Sequence, residues 1–409
     1  MRADALRSRD FRLLVLGQLV SLTGSQMSAV AVAWQLYELT HSPLSLGMLG
    51  LFRLLPVLVF GLGGGVVADA FDRRRLMFAS QTIMALASGL LVVASATHHA
   101  SAPVIYGVAV LAGIGSSFDA PARHALIPLL VPREELANAL SLHSLAWQLA
   151  SVLGPALGGL VLAHFGVVTV YSLDVLSFLA VLAALALMGH REQPGARSGD
   201  VSLAALGEAL RFLRGSPLIL SSMLLDFAAT LLGGSMLLMP IFADRLLHAG
   251  PDGLGWLYAA QPVGAVLAAV VLSIRPRPTR PGPLMLWAIA AYGAAIAVFG
   301  ASAWLPLSLV ALACSGAADT ASMVIRQTLR QELTPDALRG RMTSLNMIFF
   351  RGGPQLGEVE AGLVAHAFGP RLSVGSGGIL CVVAAAIAAA AVPSLRAYRA
   401  DTPTQEVLG

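Results

Sequence analysis

Three stretches of this chain, Phe11–Leu39, Val104–Leu130 and Leu218–Phe242, stay predominantly apolar for longer than the roughly 20 residues a helix needs to cross a bilayer. That length fixes the solvent before it fixes the fold. In hydrocarbon every backbone amide must be satisfied within the chain, which leaves helices and closed barrels. Barrel strands would alternate in polarity over short segments, whereas these runs are continuous and rich in Ala, Leu and Val. Charged residues make up 12% of the chain, about half the ~25% of a soluble protein. The chain therefore reads as an all-α membrane protein.

Spans are expected at roughly 11–38, 44–68, 75–97, 103–127, 136–165, 167–189, 217–243, 252–274, 282–301, 304–327, 341–367 and 372–395, twelve transmembrane helices in all. Arginine supplies every basic residue, and its distribution tests the count. Alternate connections and their flanks carry 22 arginines, from Arg2 and the Arg73–Arg75 run to Arg396 and Arg399, while the opposite side carries only Arg245 and Arg371. One span missed or invented would scramble that split. The positive-inside rule then places both termini in the cytoplasm of a bacterial inner-membrane protein. It also accounts for a pI near 9.5 without any nucleic-acid partner. The N-terminal MRADALRSRDFR runs into a full-length span with no small-residue cleavage site, so no removable signal peptide is expected.

The connection 190–216 is longer than the others and contains Gly, Pro, Ser and four arginines. It reads as a cytoplasmic linker between a six-helix bundle at 1–189 and another at 217–409. An internal repeat agrees. With Gly113 laid on Gly316, the chain matches itself without a gap over 113–166 and 316–369: Arg123 meets Arg326, Pro132 meets Pro335, Gly154 meets Gly357, and Phe165-Gly166 meets Phe368-Gly369. Two pseudo-symmetric six-helix halves rocking about a midplane site is a known transporter architecture.

Between the second and third spans stands GVVADAFDRRR, Gly65 to Arg75. This resembles the signature loop of the major facilitator superfamily, G-x-x-x-D-x-x-G-R-R, with Gly65, Asp69, Arg73 and Arg74 at matching positions and Asp72 in place of the usual Gly. The resemblance implies a conformational latch in which Asp69 meets Arg341 or Arg123; the alternative is that Arg73–Arg75 only set topology. Gly154-Pro155-Ala156-Leu157-Gly158-Gly159 in the fifth span is similar to the GPxxGG core of the superfamily's antiporter motif, where small residues allow close helix approach and Pro155 kinks the helix. The glycines expected upstream are Ser141 and Ala150, and the arginine that many proton-coupled members carry in the fourth span is missing, with Ala109 and Leu111 ahead of Gly113. The stretches Arg326–Asn346, Gly353–Leu363, Phe11–Gly24 and Arg280–Leu286 resemble the branch of bacterial exporters that includes the enterobactin exporter.

Charges inside spans cost roughly 2.5–3.5 kcal/mol on insertion scales, so each invites a functional reading. Asp226 lies near midplane depth in the seventh span and leads the candidates for proton coupling. Glu358 and Glu360 in the eleventh span follow; two residues apart, they face different ways on a helix. Arg53 and Arg351 are candidates for contact with substrate, as are Gln26 and Trp34 of the first span, which with the seventh lines the cavity in the superfamily. Asp119, Asp174 and Asp319 read as structural. Cys314 and Cys381 have no metal-ligand or disulfide spacing. No GxxxxGK[ST], HExxH or GxSxG occurs, so no nucleotide, metal or other cofactor and no enzymatic activity is expected. The expected function is secondary transport: a monomeric, proton-coupled exporter of a siderophore or drug-like amphiphile. A lipid flippase or a transport-inactive sensor on the same scaffold is the alternative.

Overall fold

The computed structural model describes residues 4–70, 72–189, 211–233, 236–276, 278–335 and 338–399; side chains at 57, 61–70, 339–341 and 343–351 lie outside the description. Among the described residues the chain is helical with no strand. The long helices are α1 (Arg9–Thr40), α2 (Pro43–Ala70), α3 (Arg73–Ala96), α4 (Ala102–Leu130), α5 (Leu136–Leu187), α6 (Pro217–Leu232), α7 (Gly250–Ile274), α8 (Pro281–Ala301), α9 (Leu305–Leu333), α10 (Arg339–Phe368) and α11 (Pro370–Ala391). Among the described residues, ten segments are long and apolar enough to cross a membrane by length and composition.

Local chemistry sets the ends. Ser8 accepts from the Phe11 N–H to cap α1, and Asp72 accepts from the Arg75 N–H to cap α3. Proline stands in the first turn of α4, α6, α8, α9 and α11, where its missing N–H costs nothing. At the end of α1, His41 adopts a left-handed conformation and its N–H reaches the Tyr37 carbonyl at 2.7 Å. The fifth and sixth expected spans run together as α5, broken at Gly166 with φ 76° and ψ 176°. The seventh expected span is interrupted: α6 stops at Leu232, Gly233 donates back to Ala229, and the path resumes as short helical turns over Met236–Leu238, Met239–Ile241 and Phe242–Leu246.

The chain falls into two compact units. The first is Met1–Ser198 with Phe242–Ala259, the second Gly199–Ile241 with Ala260–Gly409. In the first, α1 lies along α5, α3 packs on α4 and α5, and α2 packs on α4. Phe11, Leu14, Leu126, Ile127, Leu130 and Leu185 form its buried apolar centre at one end of these helices. In the second, α8 packs on α11 and α9, and α10 packs on α6 and α11. Glycines bring α8 and α11 together: a Cβ on Gly293 would stand 2.5 Å from the Gly378 carbonyl oxygen, and one on Gly300 2.6 Å from the Gly375 nitrogen. Close backbone approach of this kind replaces the hydrophobic effect where lipid is the solvent. Large apolar side chains cover the outside instead, among them Trp287 at 75% exposure and Ile274 at 78%. A soluble monomer rarely presents such a surface; a bilayer requires it.

The repeat places matched residues in corresponding contacts. A Cβ on Gly113 of α4 would meet Pro56 of α2 at 2.8 Å, and one on Gly316 of α9 would overlap Gln261 of α7. Gly154 of α5 faces Gln26 and Thr23 of α1, as Gly357 of α10 faces Thr230 and Leu231 of α6. Pro132 and Pro335 each accept from the N–H three residues on, from Glu135 at 3.0 Å and Leu338 at 2.9 Å. Gly166 and Gly369 both break their helices at positive φ, 76° and 92°.

Candidate functional site

Membrane-spanning helices bury polar groups only where they find partners, so the ionic clusters mark where a site is built. In the second unit, Arg326 of α9 is 4% exposed. Its Nη2 lies 2.7 Å from Asp226 Oδ1 on α6 and 3.7 Å from Asp319 Oδ1 on α9, and its Nη1 donates to Ser322 Oγ at 2.5 Å. Asp226 is thus not a solitary carboxylate. No basic residue is near it in sequence, but the packing of α6 on α9 brings one from a hundred residues away. The Asp226 side chain keeps 13% of its surface exposed and Asp319 keeps 44%. The arrangement is a dry ion pair with a second, accessible carboxylate beside it. Asp319, read from sequence as structural, belongs to the cluster.

The first unit contains the corresponding cluster with its charges redistributed. Arg123 of α4 pairs with Asp119 one turn back at 3.3 Å and donates to Gln18 Oε1 of α1 at 2.7 Å. Asp119 also accepts from Gln81 of α3 at 2.7 Å, and Ser21 of α1 donates to Gln81. Both arginines were counted above among the cytoplasmic, topology-setting residues. In the structure α4 continues to Leu130 and α9 to Leu333, so Arg123 and Arg326 sit inside helices and are buried.

Of the residues expected to form a latch, Gly65, Asp69 and Arg341 lie outside the described side chains. Asp72 serves locally as the α3 cap, its Oδ1 accepting from the Arg75 N–H at 2.8 Å. Arg74 donates to the Ala186 carbonyl at the end of α5 at 3.0 Å, and Arg73 is half-buried. Arg123 points at Asp119 and Gln18.

Gly154, Pro155, Gly158 and Gly159 are buried. A Cβ on Gly158 would stand 2.8 Å from Met27 Cα, and one on Gly159 would stand 2.5 Å from Gly255 Cα at the start of α7, so two backbones touch there. Pro155 lies inside α5 on the same face. Gln26 is half-buried against Gly154. Trp34 is buried with its ring edge-on to Tyr37, which places it in the packing of α1. Glu358, Glu360 and Arg53 are half-buried, and the Arg351 side chain lies outside the description.

Sequence reasoning missed two polar groupings, one with exposed charges and one buried. Tyr37 donates to Asp244 Oδ2 at 2.9 Å, with the Arg245 guanidinium 5.7 Å from the Tyr37 ring centroid. Asp174, in the second half of α5, is held by serines from three helical segments. Serine is too common in helices to have signalled it.

The chain matches the family described as "Transmembrane secretion effector" (MFS_3) over residues 3–406. It is 29% identical over 396 residues to the enterobactin exporter EntS of Shigella boydii serotype 18, covering 97% of this chain and 94% of that protein, and equally to EntS of Escherichia coli O1:K1. Among solved structures, a bacterial homologue of the human lysosomal transporter Spinster, inward-facing and unoccupied, superposes with a TM-score of 0.72 at 18% identity, covering 95% of this chain and 98% of that one. A bacterial homologue of the iron transporter ferroportin gives 0.70 at 16% identity, covering 93% and 98%. These neighbours are transporters and share the fold. This chain is a multi-pass membrane transporter belonging to the transmembrane secretion effector family of the major facilitator superfamily.

Proposed function

We propose that this protein exports a small amphiphile of the siderophore or drug class, driven by the proton gradient, through alternating access of two six-helix halves. The observation that carries the coupling is the sharing of Arg326 by Asp226 and Asp319. Two carboxylates share one guanidinium, with that of Arg330 one turn along α9 within electrostatic reach of Asp226, so a proton on either carboxylate changes how strongly Arg326 is held. A proton on Asp226 weakens the bond that ties α6 to α9. The open arrangement then binds the proton better than the paired one, and that difference in affinity is the only means by which a proton shifts a conformational equilibrium.

The outward direction is supported by the relatives named as enterobactin exporters and by the Gly154–Gly159 stretch, whose glycines let α5 meet neighbouring backbones. Glu358 and Glu360 remain further proton candidates, and Arg53, Arg351 and Gln26 remain candidates for contact with substrate. Cytoplasmic termini, twelve spans and a monomer complete the reading.

The test compares metabolite profiles of medium and cells between a deletion strain and its parent, with and without iron. A metal-chelating metabolite retained inside only the deletion strain supports siderophore export; unchanged profiles sink that substrate and leave drug efflux to a susceptibility panel. In everted vesicles acidified inside, Asp226→Asn should remove most of the pH-gradient-driven uptake of the identified compound. Uptake unchanged in that variant would overturn coupling at this cluster.

A further inference from the structure

The buried ionisable group that the export reading leaves unused is Asp174, 2% exposed in the second half of α5. Its carboxylate accepts from Ser88 Oγ of α3. Ser25 Oγ of α1 lies at 3.5 Å and Ser177 Oγ, one turn along α5, at 3.4 Å; Ser28 of α1 completes the ring. Among the described residues no basic side chain reaches Asp174. The sequence leaves few alternatives: α1 carries no ionisable residue between Arg12 and Tyr37, and α3 none after Arg75. Tyr171, the other titratable group on this half of α5, gives its proton to Gln35 at 2.9 Å. The first half of α5 carries His143, set edge-on against His124 of α4, and His164 near its end. Asp119 and Arg123 of α4 are engaged with each other.

The hydroxyl protons are the telling detail. Ser177 has one proton, and its better acceptor is the Asp174 backbone carbonyl at 2.7 Å. Its oxygen therefore faces Asp174 Oδ1 at 3.4 Å with lone pairs rather than a donor. Ser25 stands at the outer limit of a hydrogen bond. Ser88 and Ser28 hydrogen-bond the carboxylate, while the oxygens of Ser25 and Ser177 converge on Oδ1 at the long end of hydrogen-bond range, and no basic side chain among the described residues supplies a countercharge. We propose that Asp174, with Ser25, Ser28, Ser88 and Ser177, binds one sodium ion.

Carboxylate and hydroxyl oxygens suit a hard cation. The site carries a single negative charge, so a divalent ion would leave an uncompensated positive charge within the membrane. Gly24 of α1 packs directly against it, since a Cβ there would overlap Ser177 Oγ and stand 3.1 Å from Asp174 Oδ1. Occupancy ties α1, α3 and α5 together.

The experiment is thermal unfolding of the purified full chain in detergent, titrated with NaCl against equimolar KCl or choline chloride at pH 8 and pH 6. No substrate is present, so the outcome is separate from the export reading. Sodium should raise Tm saturably, as a ligand of the folded state does. The gain should be smaller at pH 6, where protons compete for the carboxylate, and should vanish in Asp174→Asn. Ser25→Ala should raise the half-saturating sodium concentration several-fold; Ser25 is half-buried and the change strands no charge, so this variant carries the test if Asp174→Asn does not fold. Identical curves in sodium and choline overturn the proposal, as does a sodium response that survives in Asp174→Asn. A Tm that follows pH but ignores sodium also overturns it and assigns the site to a proton.

Discussion

Arg123 and Arg326 occupy matched positions of the internal repeat, and each reaches from its own helix to the first long helix of its unit at the same distance: Gln18 at 2.7 Å from Arg123, Asp226 at 2.7 Å from Arg326. The on-helix partner one turn back also corresponds, Asp119 in one case and Ser322 in the other.

Removing the cation from the second cluster should therefore be costly. Arg326→Ala removes the guanidinium 2.7 Å from Asp226 and leaves that carboxylate, 13% exposed, with Arg330 at longer range; breaking a buried pair in this way typically costs about 3–5 kcal/mol. The purified variant should unfold at clearly lower temperature. Adding Asp226→Asn should recover part of the loss; a double variant no more stable than Arg326→Ala alone would contradict the pairing.

Backbone contact at glycine predicts a second contrast. Gly159 and Gly255 leave no room for a side chain, whereas nothing lies within 4 Å of a Cβ on Gly107. Gly159→Val should destabilise by about 1–3 kcal/mol through overpacking and broaden the size-exclusion peak. Gly107→Val should leave that profile unchanged.

The two helix-breaking glycines separate conformation from space. Gly166 and Gly369 have open surroundings, so alanine meets no neighbour at either. Their backbone regions, φ 76° with ψ 176° and φ 92° with ψ 155°, are nearly closed to other residues. Each Gly→Ala change should cost about 1–3 kcal/mol, read as a drop in Tm of similar size in both variants.

Tyr37→Phe removes one hydroxyl and leaves the aromatic packing against Trp34 and His41 in place. The lost bond goes to a carboxylate, Asp244, and such bonds contribute about 1.5–3 kcal/mol. A Tm unchanged from the parent would show that water replaces the phenol there.

The features legible in the sequence are those written in local chemistry. Apolar length gave the helices, and the alignment of Gly113 on Gly316 anticipated the pairs that later proved to share contacts, down to the positive φ of Gly166 and Gly369. The partners of Asp226 and Asp174 were hidden for a different reason. Arg326 stands a hundred residues from Asp226, near a helix end where arginine ordinarily marks topology, and only the packing of α6 on α9 reveals the pair. The serines around Asp174 sit on α1, α3 and α5, and no spacing in one dimension joins them. Trp34, offered as a cavity wall because it is an aromatic in the first span, is buried edge-on to neighbouring Tyr37.

The two arginine clusters differ in where their carboxylate is fastened. In the first unit the acid, Asp119, is on the same helix as the arginine it serves, and only a neutral amide crosses to α1. In the second, Ser322 and Asp319 stand on the arginine's helix and a second acid crosses to α6 at shorter range. Under the proposed coupling, a proton on Asp119 leaves the arginine's tie to α1 in place, whereas one on Asp226 loosens the arginine's tie to α6. The doubled chain holds the same arginine in both copies and fastens it differently in each.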